Sequence, residues 1–351
     1  MIDKNIAPVK KMTIRDLSVI VSIAACSVVF SIFMSAFMPV LAADKQPKLI
    51  NINYGTGLKK IANILKSEGV IRSSFAFELY AVVTMSNKKF QAGEYEFSFP
   101  LSAADISGKL VKGDVKKHKV VVPEGSDISD IDRIFAVSGM LITGDITALA
   151  ADKIFLKSIG IATISAEGLL FPDTYYIIRG ETPAKVMKTM YARFIQKSVI
   201  DINRVYDIQG YRATGYKVLI MASIIEKESR LAAERPMVSS VFYNRLKSPE
   251  TYQKRLESCA TVRYALNKRT GSITYKDIKV ENPYNTYIRI GLPPGPICNP
   301  GIESMAAALN PAITKYRYFV LYENGEHTFS ETLEQHNRAK IANKMIRQDQ
   351  E

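Results

Sequence analysis

From Leu17 to Ala43 the chain carries no charged residue, and Val19, Ile20, Val21, Ile23, Val28, Val29, Phe30, Ile32, Phe33, Phe37 and Leu41 all fall within that run. A helix crosses the hydrocarbon of a bilayer with about 20 residues, so the run is long enough to span. The apolar stretch of a cleaved signal peptide is only about 7–15 residues, which favours a retained anchor over a leader cut near Val40-Leu41-Ala42. Beyond it the period shortens. Lys48–Asn53 reads as a strand; Leu58, Ile61, Ile64 and Leu65 recur at helical spacing until Gly69, and a second helix is expected over Phe75–Thr84 behind a Ser73 or Ser74 cap. Gly93–Phe99 alternates aromatic and polar residues as a half-buried strand does, a helix is expected from Ser102 to Val111, and His118–Val122 reads as a strand.

Residues 126–215 are expected to be mainly helical, most clearly at Asp127–Val137 and Pro183–Val199, with Gly168–Tyr175 as an ordered loop. Val218–Ile225 is apolar on nearly every side and predicts a buried helix running into Glu226-Lys227-Glu228. Residues 280–301 are rich in Pro, Gly and Asn yet carry Tyr284, Tyr287, Ile290, Leu292 and Ile297, so they predict a packed loop of the kind that lines a site. These breaks divide the chain into a tail (1–16), a membrane helix (17–43), a small α/β module (44–122) and a larger mixed α/β domain (123–351), an α+β fold overall.

Charge fixes the orientation. The net charge is +13, and the first 43 residues hold Lys4, Lys10, Lys11 and Arg15 against Asp3 and Asp16. Basic residues flanking a span stay in the cytoplasm, so the tail is expected inside and Asp44–Glu351 outside, where nucleic acid, ATP and NAD are not at hand. The basic excess of that outer part suits an anionic surface or polymer. Gly55-Thr56-Gly57 lacks the third glycine of a dinucleotide loop, Lys60 standing there, and reads as a turn. Three cysteines (Cys26, Cys259, Cys298) and three histidines (His118, His327, His336) give no zinc spacing, and no serine-hydrolase elbow, metalloprotease helix or phosphate loop occurs, so no metal or cofactor is expected. Cys259 and Cys298 are read as separate thiols, with a disulfide as the alternative.

One carboxyl stands out. Glu228 lies three and four residues after Ile225 and Ile224 and seven after Met221, so on a continuing helix it extends the apolar stripe; Glu226 lies over Ala222 and Ser223. A carboxyl against aliphatic side chains loses hydration and keeps its proton to higher pH, as a general acid must. The same two glutamates also fit the wet end of a buried helix, with Lys227 or Arg230 as ion partners.

Met221–Glu228, Val241-Phe242-Tyr243-Asn244-Arg245-Leu246, Pro283–Tyr287, Gly291–Ile297, Asn299-Pro300-Gly301 and His327-Thr328-Phe329 resemble, in order and spacing, the endolytic murein transglycosylases of the YceG-like family; Ala92–Tyr95, Pro123-Glu124-Gly125 and Phe171–Thr174 fit as well. The resemblance implies a single-pass inner-membrane protein with a LysM-like module and a mixed α/β catalytic domain. It implies cleavage of the MurNAc–GlcNAc bond in nascent peptidoglycan strands to leave 1,6-anhydro-MurNAc ends, with penicillin-binding proteins as partners. The family's catalytic glutamate falls on Glu228, and Glu226, Asn244, Arg245, Tyr284, Asn285, Tyr287, Asn299 and His327 become candidate substrate-binding residues. Tyr284, Asn285, Tyr287, Asn299 and His327 fit equally a role in holding the local structure. A water-using muramidase and a non-catalytic wall-binding scaffold are the alternatives. The chain departs from the family's Leu-Gln-Thr-Asp-Pro-Thr-like run at Leu256-Glu257-Ser258-Cys259-Ala260-Thr261, where Glu257 is a candidate second carboxylate.

Overall fold

The structure, a computed structural model, describes residues 14–35, 38, 46–322 and 325–348. It divides into two compact units, Met1–His118 and Lys119–Glu351.

In the first unit, helix α1 covers Ile14–Ser35. Part of the expected span, residues 36–37 and 39–43, lies outside the described residues, as do several side chains of α1; among the described residues no helix is long and apolar enough to cross a membrane. Strand β1 (Lys48–Ile52) is followed by α2 (Leu58–Ser67), α3 (Ser74–Val83), β2 (Gly93–Phe97) and α4 (Ala103–Lys112). β1 and β2 pair antiparallel with Ile50 opposite Tyr95, and their inner face packs Ile50, Ile52, Tyr95 and Phe97 on Ile61, Leu65, Phe77, Ile106 and Leu110. Ser73 accepts from Ala76 N to cap α3, and α4 stops at Gly113, whose left-handed φ of 64° glycine adopts without a Cβ clash.

Next come β3 (Lys117–Val121), α5 (Ile128–Val137), α6 (Asp145–Ala151), α7 (Lys153–Ser158), β4 (Thr174–Ile178), α8 (Pro183–Lys197), β5 (Val205–Ile208), β6 (Tyr211–Thr214), α9 (Gly215–Glu228), α10 (Arg235–Leu246), α11 (Cys259–Ala265), α12 (Ile302–Leu309), β7 (Tyr318–Leu321), β8 (His327–Ser330) and α13 (Leu333–Gln348). The strands pair two by two, β3 with β4, β5 with β6 and β7 with β8. The stretch 126–215 holds three strands that helical periodicity does not announce. Thr174-Tyr175-Tyr176-Ile177-Ile178 is the aromatic and β-branched run that suits a pleated surface. β5 and β6 form a hairpin across Gln209-Gly210, both at positive φ; Gln is not a usual residue there, so the turn gave no signal.

Helix α9 is the axis of the second unit's core. Thr214 caps its start by accepting from Lys217 N, and every residue from Val218 to Ile225 is buried. Residues 291–301 are held against it by hydrogen bonds. Ser223 Oγ donates to Ile220 O (2.7 Å) and accepts from Ile297 N (3.1 Å), while the Cys298 thiol donates to Ser223 O (3.3 Å). Cys259 and Cys298 are both free thiols.

Candidate active site

The end of α9 faces two ways. Glu226 turns inward: its side chain is 7% exposed, lies 3.4 Å from Arg235, and accepts from Gly301 N (3.0 Å). Arg235 also bridges to Glu303 (2.9 Å), and Lys227 Nζ donates to Gly125 O (2.9 Å). Burial and the nearby Glu226 charge push the Glu124 carboxyl above its usual range. Pro123–Gly125, Glu226, Arg235 and Asn299–Gly301 are thereby one bracket around the helix end. Glu226 does not line the neighbouring groove.

That groove, about 920 Å³, is lined among others by Asp127, Glu167, Lys227, Glu228, Cys259, Ala260, Arg263, Tyr264 and Arg269. Glu228 is half-buried in its wall. Loss of hydration raises its pKa; hydrogen bonds from Ser258 and Ala260 and the charges of His327 and Arg245 pull back against that rise. Ser258 Oγ donates to Glu228 Oε1 (2.5 Å), and Ala260 N reaches the same oxygen at 3.5 Å. Among the described residues Oε2 takes no hydrogen bond. A proton on Oε2 leaves both of these bonds in place, whereas one on Oε1 has to turn the Ser258 hydroxyl from donor to acceptor, so the carboxyl's proton is placed on Oε2.

Ser258 and Ala260 sit in the stretch that departs from the family pattern. Thr286 accepts from Ser258 N (3.0 Å) and bonds to Thr261 Oγ1 (2.8 Å), both inside the core, so a buried threonine pair fixes the loop over the acid. Cys259 Sγ lies 3.0 Å from Tyr287 Oη. Replacing Ser258 by Ala removes a bond that favours the ionised carboxylate. We expect the alkaline limb of kcat/KM to move to higher pH, so that the variant keeps its activity at pH values where wild type has begun to lose it. A limb that stays in place in the pH–rate profile would show that Ser258 does not hold the acid.

The other candidates separate by position. Arg245, His327 and Tyr287 gather near Glu228. His327 Nδ1 bonds to Glu234 (2.6 Å), and its ring meets Phe319 edge-on. Arg245 donates to Arg317 O (2.7 Å) and Leu256 O (2.7 Å) and sits over the Tyr318 ring. Tyr284 stacks at an angle on Tyr264, 4.9 Å between centroids.

The three asparagines hold the framework. Asn244 donates to Thr314 O and Tyr316 O, both at 2.9 Å. Asn285 donates to Ile278 O and Val280 O, and Asn299 accepts from Leu170 N while donating to Ser126 O and Glu167. With both amide hydrogens engaged and Asn285 and Asn299 buried, these side chains have no donor left for a sugar. Glu257 is half-exposed, 3.4 Å from Arg245, and outside the groove lining. Ser258, Tyr264 and Glu167 were not anticipated. Only the lone Glu167 inside the apolar run Ala166–Phe171 carried a sequence signal.

The YceG-like family profile matches residues 50–342. A Bacillus subtilis protein named endolytic murein transglycosylase is 34% identical over 322 residues, covering 87% of each chain. A Streptococcus pneumoniae protein of the same name is 25% identical over 338 residues, covering 87% of this chain and 60% of its own length. The crystal structure of a yceG-like protein from Listeria monocytogenes is 31% identical, superposes with a TM-score of 0.55 and covers 84% of this chain and 100% of that one. The chain belongs to the YceG-like family.

Proposed function

We propose that this chain is an endolytic murein transglycosylase that cuts the MurNAc–GlcNAc bond inside peptidoglycan strands. The observation that carries the reading is Glu228, a carboxyl in a groove wall with Oε1 occupied by Ser258 and Ala260 and Oε2 left to hold the proton. Glu228 donates that proton to the glycosidic oxygen as the C1–O bond breaks. The C6 hydroxyl of the same MurNAc then attacks C1 and returns its proton to Oε2, closing a 1,6-anhydro ring. The acid ends as it began and no water is consumed. A tethered nucleophile replaces the second carboxylate that a hydrolase would need.

Other parts of the reading rest on the sequence. The uncharged run 17–43 behind a basic flank supports a single inner-membrane anchor with the N-terminus in the cytoplasm and residues 44–351 outside. The β1–α2–α3–β2 order around one antiparallel pair supports a LysM-like module at the membrane. An enzyme that ends nascent strands meets them where they are made, which makes wall-synthesising penicillin-binding proteins the proposed partners. No cofactor is invoked.

The test is product analysis. The full chain in detergent, incubated with uncrosslinked strands in heavy-oxygen water, is expected to release anhydro-terminated fragments without label. Reducing, labelled MurNAc ends would make it a water-using muramidase and end the proposal.

A further inference from the structure

The groove holds a second carboxyl that the reaction above does not use. Glu167 lies just before Gly168 and is 3% exposed. Its Oε2 is 3.3 Å from Ile128 N and 3.1 Å from Tyr264 Oη, and its Oε1 is 3.2 Å from Asn299 Nδ2. The Gly168 N–H also bonds to the carboxyl. Glu167 and Tyr264 both line the groove that holds Glu228.

The partners decide where a proton on Glu167 can go. Ile128 N, Gly168 N and Asn299 Nδ2 can only donate; the Tyr264 hydroxyl alone can donate or accept. A neutral Glu167 therefore places its proton on Oε2 and donates to Tyr264 Oη. Tyr264 has one hydrogen, and with its oxygen already accepting from Glu167 that hydrogen must point elsewhere. An ionised Glu167 reverses the bond, drawing the Tyr264 hydrogen back to itself. The state of Glu167 thus sets whether the groove wall offers a donor at Tyr264.

We propose that Glu167 is a positioning residue for strand binding: in its neutral form it turns the Tyr264 hydroxyl hydrogen into the groove, where it donates to an oxygen of the glycan. The inference deepens the transglycosylase reading and rests on it for the identity of the ligand. The groups facing Glu167 favour the neutral form. Burial and the Asp127 charge push its pKa up to about 8, outweighing the Ile128, Tyr264 and Gly168 hydrogen bonds. Tyr216, Tyr284 and the buried Cys298 thiol feel Glu167 as well. Arg269 is the one cation among these groups, and it is bound 2.6 Å from Asp127. The angled contact of Tyr264 with Tyr284 keeps the ring in place whichever way its hydroxyl points. Asn299, a candidate sugar ligand, instead acts from behind by fixing Oε1 as an acceptor.

The test separates this titration from that of Glu228 by working in a Glu228→Gln background, with the full chain in detergent and uncrosslinked glycan strands as the probe. Binding is measured by calorimetry between pH 6 and pH 9. Glu228→Gln alone is expected to lose roughly 3- to 10-fold in affinity on going to pH 9, the effect of one neutral hydrogen bond. Adding Glu167→Gln should make binding independent of pH. The amide can still donate to Tyr264 from the Oε2 position, at the cost of the long contact from Ile128 N. Adding Tyr264→Phe, which keeps the ring and its stacking, should give weak, pH-independent binding from the start. The inference is overturned if the pH dependence survives Glu167→Gln, or if Tyr264→Phe binds as tightly as its parent at pH 7. Strands that fail to bind the Glu228→Gln protein at any pH would sink the glycan reading itself and this inference with it. A thermal unfolding transition in the Tyr264→Phe protein as cooperative as that of its parent guards against misfolding.

Discussion

Glu228→Gln is expected to abolish strand cleavage and, at neutral pH and above, to leave the protein more stable. The two effects share a cause. General acid–base catalysis contributes about 10²- to 10⁴-fold. In the proposed reaction one carboxyl serves as both acid and base, so the loss should lie at the upper end. Gln keeps the shape and can still accept from Ser258 and Ala260, so the groove stays intact while the proton is gone. For stability the sign runs through burial. The folded-state pKa of Glu228 is raised above that of an exposed carboxyl. Native protein therefore binds more protons than unfolded protein in the interval between those two values, and stability falls as pH rises through it. At low pH the wild type holds a neutral acid and the variant gains nothing; above the folded pKa the wild type carries a partly dehydrated charge that Gln lacks. Calorimetric melting points from pH 5 to pH 9 should therefore diverge in favour of the variant. Cleavage within tenfold of wild type would put the acid elsewhere, and a variant whose deficit in melting temperature grows with pH would show that Glu228 is ionised and well paired.

How much of this was legible can be judged from a few residues. The burial of Val218–Ile225 and the placement of Glu228 at the end of that stripe follow from composition and helical spacing within a dozen residues, and the structure has α9 over Gly215–Glu228. Ser258 could not be found that way, because it lies 30 positions from Glu228 in sequence and only the fold brings it there. Glu167 is further removed still, reaching Tyr264 across 97 residues and Asn299 across 132. Asn285 and Asn299 fitted two roles in the sequence, since an asparagine in a Pro- and Gly-rich loop serves a sugar or a backbone carbonyl equally well. Burial and the direction of each amide decide between them, and neither is a property of the local sequence. The missed hairpin at Val205–Thr214 has the same origin: its strands are four residues each, too short for a period to register.

Gly215→Ala is expected to be the most damaging single-methyl change at the root of α9. The backbone at Gly215 is not in the left-handed region, so conformational freedom is not the reason for glycine here; space is. A Cβ at that position would sit 1.9 Å from Asp201 O and 2.7 Å from both Asp201 C and Ile202 Cα. These are backbone atoms, which cannot swing aside as a side chain would. They also belong to a turn tied to the helix start, because Gly215 N donates to Arg204 O (2.7 Å) and Arg204 N to Asp201 O (3.1 Å). Relief needs α9 or the 201–204 turn to move by more than 1 Å. Overpacking of this kind costs about 1–3 kcal/mol, and a clash with backbone belongs at the top of that range. For a unit of this size the melting temperature should fall by about 6–12 °C. Gly108→Ala gives the contrast: that glycine lies inside α4 with nothing within 4 Å of an added carbon, so the change should stabilise its unit by about 0.5–1 kcal/mol. Activity discriminates further. If α9 is the part that yields, Glu228 shifts relative to Ser258 and Ala260, and misplacement by about 1 Å costs on the order of 10²-fold in rate. If the turn yields, the protein melts early but cuts strands normally below its transition. Melting curves and cleavage rates on the same preparation decide between the two, and a variant as stable as wild type would mean that the approach of Asp201 to α9 is looser than 1.9 Å implies.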